Sequence, residues 1–368
     1  MALPRNYSIE WDTTHEVRGI TTHEVRGISM TLELLKRLVH AHGISGSEEE
    51  VRSIIRNEIK PYVDDVQVDS SGNLIAREKG RGEPKVMIAA HMDEVGLMAK
   101  RISGSGRIYF SLVGGIEPIT LLGQRVHIHA QKKTVHGIVT TSLMNDGNPI
   151  IDMPRLEDMY VDTGLDREDL AKTGITIGTV MSLDQELHYL GNEDVIYGKA
   201  LDDRIGCYIL IELAKRLAKG SNELYYVFTV QEEIGLYGAK TSAYTLEPDW
   251  AIAVDVINTY EADDARLIGK GPCITVKDAG TVSNKCINEW LLDLAKKNKI
   301  PVQLAVSDVG MTDALNISIS RGGIPTTSVG VAVKNIHTTV GVARMKDIEN
   351  TVELLYQLLK SPPKVCLV

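Results

Sequence analysis

The chain is poor in aromatic residues: three tryptophans and two phenylalanines in 368 residues, with aromatics at 5% of the total. That scarcity argues against broad stacking platforms for bases or sugars. Its four cysteines, Cys207, Cys273, Cys286 and Cys366, are scattered and form no CxxC pair. This predicts reduced thiols in a cytoplasmic protein rather than a disulfide framework. No uninterrupted apolar run approaches the roughly 18 residues of a membrane span, and the N-terminal stretch lacks the apolar core of an export signal. A net charge of −9 with no long Lys/Arg run disfavours a nucleic-acid-binding face. Neither membrane nor nucleic acid is expected as a partner.

Hydrophobic residues make up 43% of the chain, enough for a sizeable core, and the length suggests two domains. The octapeptide TTHEVRGI occurs at 13–20 and again at 21–28. One perfect duplication is too short for a solenoid. Residues 1–29 are expected to be a tag or other non-native leader, despite the His15-Glu16 and His23-Glu24 pairs.

Beyond the leader, SGSEEEVRSIIRNEI carries a capping-box signature, Ser47 with Glu50, and apolar residues at helical spacing up to Pro61. KVMIAAH reads as a fully buried strand. Residues 98–190 contain short Val/Ile segments between Gly, Asn and Asp, the pattern of an all-β module. From about 191 onward, helices such as RIGCYILIELAKRLAKG alternate with apolar strands such as ELYYVFTV and WAIAVDV. Such alternation predicts an α/β domain, a mostly parallel sheet sandwiched by helices, built from 30–97 and 191–368 with the β module inserted.

Acids and histidines collect where the apolar strands end. IAAHMDE supplies His91 and Asp93, and GKALDDR supplies Asp202 and Asp203 before a helix. VQEE supplies Glu232 and Glu233, AVDV supplies Asp255, and NIHTT supplies His337. Each has an ordinary explanation alone, such as an N-cap, a solvated turn or a hydrogen-bonded histidine. Ligand crevices of open α/β sheets lie outside the carboxyl ends of the strands, so the five stretches could point at one place. Clustered carboxylates repel one another unless cations lie among them. Two divalent ions about 3.5–4 Å apart would neutralise such a cluster, and mixed imidazole and carboxylate donors suit zinc or a similar transition metal. One of the adjacent glutamates could ligate, and the other could serve as base toward a metal-activated water. The residues alone do not say which does which.

In this order, AAHMDEVG, GKALDDR, EEIGLYGA, VDV and IH resemble the co-catalytic metallopeptidases of family 42, the glutamyl aminopeptidases and the tetrahedral, self-compartmentalising aminopeptidases. The resemblance spans about 30–360. It implies an aminopeptidase that removes N-terminal residues from peptides with a free N-terminus, using two divalent metals, zinc or cobalt. It implies Asp202 as the bridge, His91 and Asp255 at one metal, Glu233 and His337 at the other. Glu232 is then the general base, and Asp93 fixes the tautomer of His91. It further implies that the β module is a dimerisation domain and that dimers assemble into a hollow homo-oligomer of twelve subunits.

Some positions depart from the family pattern. VGMTDA has Met311 where relatives often carry glycine, and Thr338-Thr339-Val340-Gly341 stands where Ser-Pro-x-Glu is common. These changes predict altered specificity or rate with metal binding intact. A pocket for an acidic first residue needs a nearby Arg or Lys, and the sequence does not say whether Arg204, Lys270 or Lys334 faces the crevice. Rival readings are a binuclear deacylase of N-acyl substrates, a glycoside hydrolase, and an assembly protein without chemistry. Glycosidase carboxylates flank a sugar about 5–9.5 Å apart, which two sequence neighbours fit poorly. His127, His129 and His136 in the β module invite a further metal reading, but no acid beside them in the sequence completes it.

Overall fold

The computed structural model describes residues 24–25, 28–29, 32–80, 84–145, 153–218, 220, 222–259 and 266–364. Apart from the short paired strands Glu24–Val25 and Ile28–Ser29, the duplicated leader lies outside the described residues.

The larger body is an eight-stranded sheet. Its strands run, edge to edge, Gln303–Val306, Cys273–Lys277, Thr326–Val333, Trp250–Asn258, Lys85–His91, Glu223–Thr229, Leu74–Glu78 and Asp65–Val68. The four central strands are mutually parallel. Antiparallel strands flank them, so the sheet is mixed. Alternation along Lys85–His91 shows why the central strands read as continuous apolar runs. Val86, Ile88 and Ala90 pack into a core beneath the long helices, while Met87 and Ala89 pack into a smaller core on the opposite face. A strand buried on both faces has no polar phase.

The larger core is roofed by helices Leu32–His40, Glu49–Ile59, Leu201–Leu217, Lys285–Asn298 and Met345–Leu359, the smaller by Tyr237–Leu246 and Ala314–Ser318. Helix Leu201–Leu217 is buried nearly all round. Its Arg204 donates to the carbonyls of Leu38 and Ala41 and approaches Glu94, whose carboxylate accepts from Lys199 Nζ at 2.7 and 2.9 Å. The expected capping box at Ser47 does not form. Glu48 occupies the N-cap of Glu49–Ile59, and Ser47 Oγ lies 3.2 Å from His42 Nε2 instead. Reduced thiols throughout are also not found: Cys207 and Cys273 are free, whereas Cys286 is disulfide-bonded.

Between the two chain segments of this body lies a closed six-stranded antiparallel barrel. Its strands run Met159–Asp162, Ile108–Val113, Gly96–Ile102, Val180–Leu183, Arg125–His129 and Thr134–Thr141 around the ring. It has a separate apolar core that includes Leu97, Ile108, Val126, Ile128 and Met181. The first barrel strand begins two residues before 98, and the module is not purely β. It carries the helix Arg167–Thr173, capped by Asp166, which accepts from Asp169 N, and ended by Gly174 in the left-handed region.

Candidate metal centre

His91, Asp202, Glu232, Glu233, Asp255 and His337 line one cavity of about 590 Å³ at the carboxyl ends of the parallel strands, whereas Asp93 and Asp203 do not. His91 ends strand Lys85–His91, and Asp255 lies in Trp250–Asn258. Glu232 and Glu233 follow Glu223–Thr229, His337 follows Thr326–Val333, and Asp202 opens the helix Leu201–Leu217.

Two imidazoles divide one carboxylate between them. His91 Nε2 is 3.0 Å from Asp202 Oδ1, and His337 Nε2 is 3.2 Å from Asp202 Oδ2. Both rings are held from behind: His91 Nδ1 lies 3.2 Å from the Asp93 carbonyl, and His337 Nδ1 lies 3.1 Å from the Gly115 carbonyl. A carbonyl can only accept, so each Nδ1 carries a proton, which leaves Nε2 as the ring atom that a metal would take in place of a proton. That is the arrangement a metal-binding histidine needs. Around His91 Nε2 stand Asp255 Oδ1 at 3.8 Å and Glu232 Oε2 at 3.9 Å; around His337 Nε2 stands Glu233 Oε2 at 3.3 Å.

The donor set fits divalent metal. Ligands about 2.0–2.2 Å from a tetrahedral ion sit roughly 3.3–3.5 Å from one another, near the spacings seen here. Donor atoms of His91, Asp202 and Glu233 lie within 4.8 Å of one another, as do those of His91, Asp203 and Asp255. Glu233 Oε1 and Asp203 Oδ2 are buried without a hydrogen-bond partner, an expensive state unless a cation faces them.

Charge crowding shows in the proton affinities. Burial lifts Glu233 to about 8, with Asp202 adding to the rise, and lifts Asp255 to about 8. Glu232 is pushed well above the carboxylate range, first by burial and then by Asp255, Asp313 and Glu233, against the pull of His91. Burial opposes protonation of His337, but Asp202 and Glu233 outweigh it and raise that imidazole to about 9. Without a cation these groups must hold protons to coexist; a bound metal would replace those protons.

Asp93 lies outside the cavity. Its fully buried carboxylate accepts from Ser45 Oγ at 2.6 Å and from the backbone N–H groups of Glu232 at 3.0 Å and Glu233 at 3.2 Å. Its Oδ1 is 3.5 Å from His91 Nδ1, farther than its carbonyl.

Three features escaped the sequence reading. Asp203, named beside Asp202 but given no role, accepts from Gly206 N at Oδ1 and keeps Oδ2 buried without a hydrogen-bond partner. Asp313, at the start of a short helix, accepts from Thr229 Oγ1 at 2.5 Å and leaves Oδ1 buried and unpartnered. The cationic wall was left open between Arg204, Lys270 and Lys334. Arg204 is buried beneath the sheet, and the cavity is lined by Arg266 and Lys277 instead. Lys277 Nζ is engaged by Asp308 Oδ1 at 2.9 Å. Met311 lines the same cavity and is half exposed.

A strand-end cluster of carboxylates and ligand-ready imidazoles on a helix-covered mixed sheet defines a metal-dependent hydrolase. The chain belongs to the M42 glutamyl aminopeptidase family, whose model matches residues 72–354. It is similar to the lysyl aminopeptidase of Pyrococcus furiosus, 33% identical over 338 residues covering 89% of this chain and 96% of that protein. Among solved structures, a TET aminopeptidase from a marine sediment archaeon of the Thaumarchaeota superposes with a TM-score of 0.86 at 34% identity, covering 90% of this chain and 97% of that one. The TET1 peptidase of Pyrococcus horikoshii, described as able to assemble into a tetrahedron or a large octahedral shell, superposes at 0.82 with 31% identity, covering 89% and 98%. The chain is accordingly a metal-dependent aminopeptidase. Among the described residues no helix is long and apolar enough to cross a membrane.

Proposed function

We propose that the enzyme releases N-terminal residues from peptides at a two-metal centre, zinc or cobalt, with Asp202 as bridge. His91 and Asp255 complete one site, and Glu233 and His337 the other. The observation that carries this reading is the division of the two Asp202 oxygens between two separate imidazoles. When bound, such a metal pair supplies Lewis acidity toward the scissile carbonyl and makes a neighbouring water acidic enough to be deprotonated near neutral pH.

The protein's own groups do the rest. Glu232, left off the ligand set, takes the proton of the attacking water and returns it to the leaving amine. Burial and neighbouring negative charge raise its affinity for that proton. Asp93 anchors the backbone amides of both Glu232 and Glu233, holding base and ligand in a fixed relation. The cavity admits a chain end at its open side, and Met311 on its wall bears on which first side chain is accepted. By analogy with the assembling relatives, we take the enzyme to be a cytoplasmic homo-oligomer, built through its barrel into dimers and then a dodecamer.

The test uses protein stripped of metal and reloaded with zinc, cobalt or manganese, assayed on aminoacyl-p-nitroanilides and on their N-acetylated forms. Turnover of the free-amine substrates alone is expected. Release of acetate from the acetylated series would make the enzyme a deacylase, and release of p-nitroaniline from it at equal rates would show that the free amine is not required. Size-exclusion chromatography with light scattering tests the assembly.

A further inference from the structure

The outward face of the barrel carries a second constellation that the catalytic centre does not use. His127 and His136 are direct partners on neighbouring antiparallel strands, and Ser182 on the next strand is partnered with His127 from its other side. Asp184, two residues past Ser182, therefore lies on that same face. The inward positions between them, Val126, Ile128, Val135 and Leu183, fill the barrel core. Three consecutive strands thus bring two imidazoles and a carboxylate together where no apolar packing requires them. His127 Nε2 is 3.5 Å from Asp184 Oδ1, and the His127 and His136 rings meet edge to face at 4.8 Å between centroids. One donor atom from each of the three lies within 4.8 Å of the others.

We propose that His127, His136 and Asp184 form an additional binding site for a divalent transition metal, of the zinc class, on the barrel. Two imidazoles with one carboxylate make a borderline donor set that suits zinc better than calcium or magnesium. The 3.5 Å separation of His127 and Asp184 matches ligands sharing one tetrahedral ion, about 3.3–3.5 Å. His136 is exposed and free to swing the remaining distance. Arg125 Nε engages the other carboxylate oxygen, Oδ2, at 3.3 Å, which orients Asp184 and leaves Oδ1 for the ion. His129 shares the His127 strand face but is not part of the site. It bonds Ser182 Oγ at 2.8 Å and stacks on His42 at 3.6 Å. The acid that the sequence did not place beside these histidines is Asp184, brought in by a strand more than forty residues away. A metal there would tie three barrel strands together from outside.

Zinc alone is the probe. In a His91→Ala/His337→Ala background, isothermal titration and elemental analysis of the dialysed full-length protein should show one zinc equivalent retained per chain. That equivalent should disappear on adding either His136→Ala or Asp184→Asn. In the otherwise unaltered enzyme, His136→Ala should lower zinc content by one per chain without slowing aminopeptidase turnover, a readout that does not depend on the double variant folding. Zinc content indifferent to both His136→Ala and Asp184→Asn would overturn the proposal.

Discussion

Replacing Asp93 by asparagine tests whether the buried carboxylate organises the centre from behind. The substitution keeps size and shape but exchanges one acceptor oxygen for an NH2 group. Placed at Oδ1, that group faces the Glu232 N–H now donating at 3.0 Å; placed at Oδ2, it faces the Glu233 N–H at 3.2 Å. Ser45 can reverse its hydroxyl and accept, but a backbone N–H cannot. Either rotamer leaves one buried backbone donor opposed, a cost of about 1–3 kcal/mol. The amides displaced belong to the proposed base and to a proposed ligand, so catalysis should suffer as well. Loss of such a supporting group typically lowers metal affinity or activity about 10–100-fold. Steady-state kinetics on an aminoacyl-p-nitroanilide, metal analysis and thermal unfolding of the same preparation measure all three effects. Ser45→Ala is the control, since both amide contacts survive it, and it should cost far less activity than Asp93→Asn. Should Asp93→Asn retain kcat/KM within about twofold of the parent and melt at the same temperature, the supporting role is refuted.

Other expected outcomes can be checked in parallel. Glu232→Gln should lower kcat by about 10²–10⁴ while leaving metal content unchanged; an active variant would place the base elsewhere. Chelation should stop turnover and lower the melting temperature, because it removes the counter-charge of the carboxylate cluster, and added zinc or cobalt should restore both. Full activity in metal-free protein would contradict the proposed centre. Lys199→Met leaves the buried Glu94 with the Gly43 N–H at 3.2 Å and the longer 3.4 Å contact to Arg204, without its closest cation. It should destabilise by about 3–5 kcal/mol, read from denaturant unfolding. Burial holds His42 near 3 and His129 near 4, both below the usual 6.5. The folded state therefore binds fewer protons, and the stability of the neutral rings is whole above about 6.5 and lost as pH falls through 4 toward 3. His42→Gln should flatten that acid limb in melts recorded between pH 7 and 4.

Much of the centre was legible because strand ends advertise themselves. His91, Glu232, Glu233, Asp255 and His337 each follow an apolar run that alternation or continuity marks as a strand, and topology delivers strand ends to one side of a sheet. What could not be read depends on contacts distant in sequence or on choices between neighbours. Asp202 and Asp203 are adjacent and chemically identical, and only the turn into the helix decides which faces both imidazoles. Arg204 carries the charge an acidic pocket would want, but it follows Asp203 into a buried helix and serves the carbonyls of Leu38 and Ala41. At Ser47, one local contact displaced another, since its hydroxyl meets His42 five residues back and the chain starts the helix one residue later. The β texture of 98–190 was plain from its short segments, whereas closure into a ring joins strands such as Gly96–Ile102 and Val180–Leu183 across some eighty residues. Asp184 stayed invisible as a companion of His127 for the same reason.

The Gly115 carbonyl behind His337 belongs to the turn that leaves barrel strand Ile108–Val113, 222 positions earlier in the chain. Its neighbour Gly114 has φ of +83°, and a side chain there would strike Val95 Cγ1 at 2.6 Å, so the tightness of this bend is specified. The two bodies are thus not interchangeable parts. An engineered chimera that trades the barrel for another linker, or that edits residues 114–116 to tune assembly, would also release an imidazole of the proposed metal centre from its tether.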